Sequence, residues 1–389
     1  MAIPFIDLMA QRDRIGPKID AAVAAVLEHG QYVGGPEVIE LEKRLAAFCG
    51  AEHALSCANG TDALVLALRG WGVGPGDAVF CPSFTFVATA EVLPWIGASP
   101  VFVDIDPATY CIDPQSLVQA IAAVKAEGKL RPKAIIAVDL FGQPADYPAL
   151  AEIARAEGLK LLADCAQSFG CTLNGEHPLA WADAASTSFF PAKPLGAYGD
   201  GGAVFTNDPA HADRIDSIRV HGRAVASDIE GHSFDHDPKY LNMRVGLNSR
   251  LDTIQAAILL EKLKVFPAEI EMRNEVAARY CDLLDGAVAA LPKVIEGGVS
   301  TWAQFTVEVE DRDAMQAHLR SKGVPTAVYY PVPLHAQKPY KDYPSAPGGL
   351  PVTEAKAERV LSLPMHPDLD ETTQDLIVAA VRETVAVAA

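Results

Sequence analysis

Short apolar runs alternate with segments of helical periodicity along the first half of the chain. Apolar residues recur at helical spacing in 17–29 and 36–49, and Gly34-Gly35-Pro36 separates the two segments. The next predicted helices cover 63–69, 88–96, 114–127 and 147–157, and the predicted strands cover 78–81, 100–104, 134–138 and 159–163. Short buried strands separated by helices are typical of a mostly parallel sheet that is covered on both faces.

The pattern changes in the second half of the chain. Residues 223–242 are polar and rich in Asp and His, which predicts a long loop of the kind that is often functional. A helix predicted over 250–265 is followed by a second one over 269–284. A smaller α+β unit then comprises strands 303–309 and 326–330, a helix over 312–322 and a last helix from Glu371. The sequence therefore predicts a large domain over 1–255 and a small C-terminal domain over 256–389.

Composition narrows the class of partner. The chain has 389 residues, 50% of them apolar, and 32 Lys and Arg against 50 Asp and Glu give a formal charge of −18. This acid excess argues against binding to nucleic acid or anionic lipid, but a small anionic ligand is compatible because a local pocket can oppose the global sign. The seven scattered cysteines include no Cys-x-x-Cys pair, and the N-terminus has no signal-peptide pattern. These features, with no apolar run of membrane-spanning length, indicate a cytoplasmic protein.

Candidate site residues follow the predicted strands, because ligands bind beyond the carboxyl ends of a parallel sheet. Gly60 and Thr61 open a helix whose N-terminus suits a phosphate, although an ordinary helix cap explains the same residues. Phe86 follows a strand and either stacks on a flat ligand or fills the core. Asp164 ends a strand predicted to be buried, where its carboxylate needs a helix N-terminus or a cationic ligand group as partner.

Lys193 is the most specific candidate. It lies five residues after Ser188 in an apolar, glycine-rich stretch and not on a charged face. A desolvated lysine has a lowered pKa and can form a Schiff base, and glycines let the backbone pass close to a ligand. One ligand, pyridoxal 5′-phosphate, carries a phosphate, a flat ring, a basic ring nitrogen and an aldehyde. The phosphate matches Gly60, Thr61 and Ser188, and the flat ring matches Phe86. The ring nitrogen matches Asp164, and the aldehyde matches Lys193.

Eight motifs between Phe5 and about Pro367 are highly specific when taken together. They are Gly-Thr-Asp-Ala-Leu (60–64), Pro-Ser-Phe-Thr-Phe-Val-Ala-Thr (82–89), Phe-Val-Asp-Ile-Asp (102–106), Asp-Cys-Ala-Gln-Ser-Phe-Gly (164–170), Ser-Phe-Phe-Pro-Ala-Lys-Pro-Leu-Gly (188–196), Gly-Asp-Gly-Gly-Ala (199–203), Gly-Leu-Asn-Ser-Arg-Leu-Asp (246–252) and Gln-Ala-Ala-Ile-Leu (255–259). With these motifs the chain resembles the DegT/StrS family of nucleotide-sugar aminotransferases. The resemblance implies the type I fold of pyridoxal-phosphate enzymes, with a large cofactor domain and a smaller C-terminal α+β domain.

The resemblance also implies a role for each matching residue around the cofactor ring. Lys193 would hold pyridoxal phosphate covalently and move protons, and Asp164 would pair with the pyridine nitrogen. Gln167 would lie near the ring hydroxyl, and Phe86 would stack on the ring. Some members of the family carry His in place of the lysine and act as dehydrases, so the presence of Lys193 favours transamination.

Around the phosphate, the resemblance implies that Thr61 and Ser188 are ligands. Asn248 would reach the phosphate from the neighbouring subunit, which implies a homodimer with shared active sites. The amino donor implied is L-glutamate, and the acceptor is a keto sugar carried on a nucleotide.

Four stretches, two of them within the motifs above, are most similar to a subgroup that aminates C3 of UDP-2-acetamido-2-deoxy-3-oxo-glucuronate for surface polysaccharide. They are His-Gly-Gln-Tyr-Val-Gly-Gly-Pro-Glu (29–37), Ser-Phe-Phe-Pro-Ala-Lys-Pro-Leu-Gly (188–196), Asn-Ser-Arg-Leu-Asp (248–252) and Ser-Leu-Pro-Met-His-Pro (362–367). Arg250 would bind the uronate or the donor carboxylate bidentately, or it anchors the dimer or a helix-terminal loop instead. Tyr32 and Tyr329 are further substrate-binding candidates, and Tyr329 stands where the subgroup is expected to have His. A neutral 3-keto-UDP-GlcNAc, as used for lipid A, and a dTDP-3-keto-6-deoxyhexose are the alternative acceptors.

Two other classes of function share the same cofactor site. A regulator that only binds pyridoxal phosphate or a sugar would keep the pocket without needing Lys193. Dehydration or decarboxylation would use the same cofactor on a different substrate.

Overall fold

The computed structural model describes residues 3–229 and 240–388. The helices in that range are α1 (Leu8–His29), α2 (Pro36–Cys49), α3 (Gly60–Gly70), α4 (Ala88–Trp95), α5 (Pro114–Glu127), α6 (Tyr147–Glu157), α7 (Pro209–Arg219), α8 (Ala226–Ile229), α9 (Thr253–Leu284), α10 (Arg312–Ser321), α11 (Pro351–Arg359) and α12 (Glu371–Ala388). The strands are β1 (His53–Cys57), β2 (Asp77–Pro82), β3 (Ser99–Val103), β4 (Arg131–Val138), β5 (Lys160–Asp164), β6 (Thr172–Leu173), β7 (Ala184–Ser188), β8 (Gly202–Thr206), β9 (Gly298–Val299), β10 (Phe305–Glu308) and β11 (Val360–Leu363). None of the helices in the described part of the chain is both long and apolar enough to span a bilayer.

A seven-stranded sheet in the order β1-β8-β7-β5-β4-β2-β3 lies at the centre of the chain. Neighbouring strands from β7 to β3 pair in parallel, whereas β8 is antiparallel to both β1 and β7. Every residue of β2 and β8 is buried, because both faces of the sheet are covered. The predicted α/β class with a mostly parallel mixed sheet is confirmed. The carboxyl ends of β1, β5 and β7 therefore lie at one edge of this sheet, where β8 begins.

Helix α1 begins earlier than the sequence pattern indicated. The predicted start at residue 17 is wrong, because the carboxylate of Asp7 accepts hydrogen bonds from the amides of Met9 and Ala10, both at 3.0 Å. Such a cap satisfies amides that have no partner inside the helix. Pro17 then lies inside α1 and did not mark its start.

The two helices predicted over 250–265 and 269–284 form one 32-residue helix, α9. Pro267 lies inside it and removes one backbone donor, which usually ends a helix. Packing against α1 and α2 holds the helix together across this residue. Its first half joins the large hydrophobic core through Phe266, and its second half joins a separate core through Tyr280. The domain division between residues 255 and 256 stays a prediction.

The small unit pairs its strands differently from the prediction. Strand β10 is antiparallel to β11, a strand that the sequence pattern did not indicate. The predicted strand over 326–330 is wrong, because only Ala327 forms a bridge, with Ser362. Pro325 and Pro331 flank this segment and lack the N–H groups that a longer ladder needs.

The loop predicted over 223–242 contains the short helix α8. Asp228 in α8 forms a two-pronged ion pair with Arg244, at 2.6 and 2.5 Å. This pair fastens α8 to the chain that follows the loop. Residues 230–239, the middle of the predicted loop, lie outside the described residues.

A segment of the C-terminal half is bound to the outer edge of β3. The amide of Phe102 donates to the carbonyl of Pro344 at 2.9 Å, and the amide of Ala346 donates to the carbonyl of Phe102 at 2.8 Å. The carboxylate of Asp104 accepts two amides from the first turn of α11, at 3.0 and 2.8 Å. The chain that follows Tyr330 is therefore fixed to the central sheet.

Candidate active site

The N-terminus of α3 meets the end of β7 at the carboxyl edge of the sheet. A Cβ atom placed on Gly60 would lie 2.6 Å from the Cβ atom of Ser188, so only glycine permits this approach. Asn59 caps the helix by accepting the amide of Asp62 at 2.8 Å. The amides of Gly60 and Thr61 donate to no acceptor among the described residues. Two free amides at a helix N-terminus beside a serine hydroxyl suit a phosphate group.

Replacing Gly60 by alanine is expected to weaken phosphate-dependent cofactor binding about tenfold, because overpacking of this kind costs ~1–3 kcal/mol. The added methyl group would push Ser188, whose Cα atom lies 3.2 Å from its position, away from the helix. Titration of the apo protein with pyridoxal phosphate measures the effect. The matched control is Gly74→Ala, whose methyl group would meet only the carbonyl oxygen of Ile96, at 3.7 Å. Equal affinities of the two variants would contradict the assignment.

Asp164 lies buried at the end of β5. Its carboxylate accepts a hydrogen bond from the Thr89 hydroxyl at 3.1 Å and another from the amide of Ala166 at 3.2 Å. Burial raises the pKa of Asp164, and the two hydrogen bonds and the positive charge of Lys193 oppose that rise. The carboxylate has no cation within salt-bridge distance in the described residues. It is therefore available to a cationic ligand group. The sequence reasoning missed Thr89, which lies three residues after Phe86.

Lys193 lies half-buried in the glycine-rich loop between β7 and β8. Its amide donates to the carbonyl of Phe190 at 2.8 Å, and the amide of Tyr198 in the same loop donates to Gln255 of α9 at 2.9 Å. Burial lowers the pKa of Lys193, and the carboxylate of Asp164 partly restores it. Lowering the pKa increases the neutral, nucleophilic fraction of the amine at a given pH. The charges of Lys193 and Asp164 therefore shift each other's pKa in opposite directions.

The side-chain amide of Gln167 is oriented by two partners. The amide of Phe141 donates to its Oε1 at 2.7 Å, and its Nε2 donates to the hydroxyl of Tyr330 at 3.1 Å. Gln167 is only 4% exposed, so each of these bonds matters for keeping a buried polar group satisfied. Tyr330 was missed from the sequence, where its only signal is its position beside Tyr329. Burial raises its pKa well above the ordinary value, so its hydroxyl stays protonated.

Phe84 and Phe86 have the two different environments, core and ligand-accessible surface, between which the sequence could not decide. Phe84 is completely buried and belongs to the large core, whereas Phe86 is 52% exposed. The ring of Phe86 lies 6.4 Å from the ring of Tyr330, with the two planes tilted by 42°. Phe86 therefore offers an open face to a flat ligand, as an aromatic stacking partner requires.

Asp139 is buried at this edge of the sheet, directly after β4, and was not predicted as a site residue. Its carboxylate accepts from the hydroxyl groups of Tyr147 and Ser168, both at 2.7 Å, and from the thiol of Cys165 at 3.3 Å. Its amide donates to the carbonyl of Asp164 at 3.2 Å. Burial raises the pKa of Asp139 to about 6. The sequence signal was present, since this carboxylate follows β4 directly, just as Asp164 ends β5.

Three predicted substrate and phosphate residues lie on the surface of this chain. Asn248 and Arg250 are both exposed, and they flank Ser249, which is buried and accepts the amide of Ala58 at 3.2 Å. Tyr32 is 49% exposed and joins the same region, because its carbonyl accepts the amide of the first residue of α9 at 2.9 Å. These three side chains are therefore accessible from outside this chain.

Tyr329 is half-buried beside the ring of Phe5, at 6.4 Å, and its ring lies 5.7 Å from that of Tyr330. Burial raises its pKa. It is thereby connected to the Gln167 side of the site.

The donor set as a whole fits pyridoxal phosphate. A glycine-lined helix N-terminus suits its phosphate, the exposed face of Phe86 suits its ring, and Asp164 suits its ring nitrogen. Lys193 provides an amine of lowered pKa for its aldehyde.

Comparison with known proteins gives a consistent set of matches. The sequence model of the DegT/DnrJ/EryC1/StrS aminotransferase family matches residues 13–382. The UDP-2-acetamido-2-deoxy-3-oxo-D-glucuronate aminotransferase of Pseudomonas aeruginosa is 49% identical over 378 residues, which are 97% of this chain and 99% of that protein. A pleiotropic regulatory protein of Geobacillus stearothermophilus is 42% identical over 386 residues, 98% of both chains. A crystal structure of a DegT DnrJ EryC1 StrS aminotransferase from Brucella abortus superposes with a TM-score of 0.93 at 49% identity, covering 98% of this chain and 99% of the other.

Proposed function

The chain belongs to the DegT/DnrJ/EryC1/StrS aminotransferase family, and from this premise we propose that it aminates C3 of UDP-2-acetamido-2-deoxy-3-oxo-glucuronate. It is a pyridoxal-phosphate-dependent aminotransferase, and L-glutamate is the proposed amino donor. The similarity to the Pseudomonas aeruginosa enzyme, which extends over nearly the whole of both chains, is the observation that carries the choice of sugar. The product would enter the synthesis of a surface polysaccharide such as the O-antigen of lipopolysaccharide.

Bound pyridoxal phosphate supplies an electron-withdrawing ring that accepts the electrons left behind when a proton leaves the carbon bearing the amino group. In the proposed assignment, Asp164 keeps the ring nitrogen protonated, because its buried carboxylate is most stable beside a positive charge. Gln167 would lie near the ring hydroxyl; among the described residues its Nε2 donates to the hydroxyl of Tyr330 alone. Lys193 would hold the cofactor through Nζ, and its amine, whose pKa burial lowers, would take up the proton and return it.

The phosphate would be held by the N-terminus of α3 and by the hydroxyl groups of Thr61 and Ser188. The close approach of Gly60 to Ser188 places these groups on one small surface. They oppose the acidic charge of the chain only locally, since the positive end of the helix acts over a short range.

We assign Asn248, Arg250 and Tyr32 to the active site of a neighbouring subunit in a homodimer. The support is their exposure beside the buried Ser249, which holds this stretch against the start of α3. In that position Asn248 would bind the phosphate of the partner's cofactor. Arg250 would meet a carboxylate of the partner's substrate in a two-pronged ion pair.

The proposed site of the reaction is the cytoplasm. The seven cysteines, all within the described residues, form no disulfide, and six of them are buried. Free thiols of this number are typical of a reducing compartment.

Steady-state turnover of three sugars tests the substrate. We expect kcat/KM for the uronate to exceed that for neutral UDP-GlcNAc-type and dTDP-6-deoxyhexose sugars about 10- to 100-fold, because a charge-assisted pair contributes ~1.5–3 kcal/mol. The reaction is assayed in the reverse direction, in which each 3-amino sugar gives up its amino group and 2-oxoglutarate accepts it. Arg250→Lys is the matched variant: it keeps the charge and loses the planar fork.

The pattern of losses separates the two carboxylates that Arg250 could bind. A loss with the uronate alone assigns Arg250 to the sugar. A KM for the keto acid that rises by the same factor whichever sugar is present assigns Arg250 to the carboxylate of the amino donor. Equal or better turnover of a neutral sugar by the unmodified enzyme would overturn the uronate. Cofactor binding without turnover of any amino sugar would favour the regulator class instead.

A further inference from the structure

Ser83, His335 and Glu354 form a continuous chain of hydrogen bonds outside the residues considered so far. The Oγ atom of Ser83 lies 2.7 Å from Nδ1 of His335, and Nε2 of the same ring lies 3.2 Å from Oε1 of Glu354. Ser83 directly follows β2, His335 lies in a short turn over 334–336, and Glu354 lies in α11. These hydrogen bonds thus connect the central sheet with the C-terminal half of the protein.

A serine, a histidine and a carboxylate in this order form the arrangement used for nucleophilic catalysis, but the geometry here excludes that use. Ser83 is completely buried, so no substrate carbon can reach its oxygen. The same Oγ atom also accepts the backbone amide of His335 at 3.0 Å. In the serine hydrolases Nε2 faces the serine, whereas here the serine faces Nδ1.

The hydrogen-bond network assigns the tautomer of His335. The hydroxyl of Ser83 has no other acceptor among the described residues, so its proton points to Nδ1. The ring proton is then on Nε2, which donates it to Glu354. The carbonyl of Ser83 accepts the amide of Leu334 at 3.0 Å, so three hydrogen bonds join Ser83 to residues 334–335.

These bonds connect two segments that carry the two sides of the active site. Phe86, the candidate stacking residue, lies three residues after Ser83, and Tyr330 lies five residues before His335. The ring of Tyr330 is 6.3 Å from Phe84 and 6.4 Å from Phe86, and its hydroxyl accepts from Gln167. The spacing between the ring face of Phe86 and the hydroxyl of Tyr330 therefore depends on how Ser83 and His335 are joined.

We propose that Ser83 and His335 form a latch that positions Phe86 against the cofactor ring and Tyr330 against the acceptor substrate. Both would act as positioning residues, since Ser83 is completely buried and the ring nitrogens of His335 are engaged by Ser83 and Glu354. The proposal rests on the proposed function only for the identity of the acceptor, because the cofactor side of the latch is independent of the sugar. Glu354 contributes little, because its side chain is 63% exposed and its bond to the ring competes with water.

A matched pair of variants at His335 tests the latch. In His335→Asn the side-chain oxygen takes the place of Nδ1 and still accepts the hydroxyl of Ser83, whereas His335→Leu has similar bulk and no acceptor. We expect the leucine variant to bind pyridoxal phosphate about tenfold more weakly, since a buried hydroxyl then has no partner. It should also have an altered visible circular dichroism band of the bound cofactor and a raised KM for the amino sugar. The asparagine variant should stay within about twofold of the unmodified enzyme in cofactor affinity and KM and should keep its dichroism band, because its side-chain oxygen still accepts the hydroxyl of Ser83.

The remaining variants serve as controls. Ser83→Ala deletes only the hydroxyl and should reproduce the leucine variant, which gives the same decision if His335→Leu does not fold. Glu354→Gln should change cofactor affinity by less than about twofold, in line with an exposed partner. Identical behaviour of the asparagine and leucine variants, or an unchanged dichroism band in both His335→Leu and Ser83→Ala, would overturn the latch. If the cofactor readouts follow the expectation and no uronate is turned over, the latch stands and the substrate proposal falls.

Discussion

The Lys193→Ala protein is expected to lose about 10³-fold or more in kcat, because in the proposed assignment it lacks both the covalent anchor of the cofactor and the group that moves the proton. The amine of Lys193 has a pKa lowered by burial, so it is neutral at a lower pH than an ordinary lysine. The protein groups proposed to bind the phosphate are unchanged, and so is Asp164. The variant should therefore still bind pyridoxal phosphate, without a covalent link. Single-turnover kinetics with glutamate, measured by the visible absorbance of the cofactor, gives the rate.

Two controls separate the anchor from the proton carrier. Lys193→Arg keeps a positive charge beside Asp164 and should be as inactive as the alanine variant, since a guanidinium is not a nucleophile. Added methylamine should restore part of the proton transfer in the alanine variant only. Borohydride treatment should attach the cofactor to the unmodified chain at Lys193 and to neither variant. Turnover by Lys193→Ala at the native rate would remove Lys193 from the mechanism.

The second large effect is expected for Asp164→Asn, with a loss of about 10²–10³-fold in kcat, in the range of removing one electrostatic stabiliser. The amide keeps the shape of the carboxylate and can still accept from Thr89, but it cannot hold a proton on the ring nitrogen. The matched smaller change is Thr89→Val, which removes only the 3.1 Å hydrogen bond to Asp164 and should cost about tenfold or less. A variant Asp164→Asn within tenfold of the native kcat would contradict the role of the carboxylate.

The same substitution has a second consequence, at Lys193. The charge of Asp164 raises the pKa of the lysine, and burial lowers it, so removing the charge leaves burial less opposed. The pKa of Lys193 should therefore fall further in Asp164→Asn. The pH dependence of covalent cofactor uptake by the apo protein reports this, because only the neutral amine reacts. We expect the uptake profile to shift to lower pH; a shift to higher pH would show that the two groups are not coupled as described.

The parts of the site that were predictable from the sequence are local. Asp164 and Ser188 end short strands, and Lys193 follows five residues after Ser188, so each of these residues lies within a few positions of the element that places it. The predicted strands of the central sheet agree with the observed ones to within three residues at each end. A parallel sheet then brings the ends together, whatever the rest of the chain does.

The missed features depend on partners that are distant in the chain. Ser83 and His335 are separated by 252 residues, and Gln167 and Tyr330 by 163. No local pattern encodes such pairs, because each partner alone is an ordinary polar residue in a loop. The continuity of α9 through Pro267 has the same origin, since packing on both sides outweighs the local cost of the proline. The predicted strand over 326–330 failed because Pro325 and Pro331 limit the ladder at its ends, and because Val328, Tyr329 and Tyr330 pack against the large core instead.

The outer edge of β3 bears on how this protein avoids unwanted self-association. An uncovered edge strand is a template on which a foreign chain can build a further strand, and aggregation then follows. Here Pro100 has no N–H to offer, and the backbone of Phe102, which faces the same side, is already satisfied by Pro344 and Ala346. The C-terminal half therefore acts as an intramolecular shield of the sheet. Truncating it would turn the exposed strand into a seed for aggregation.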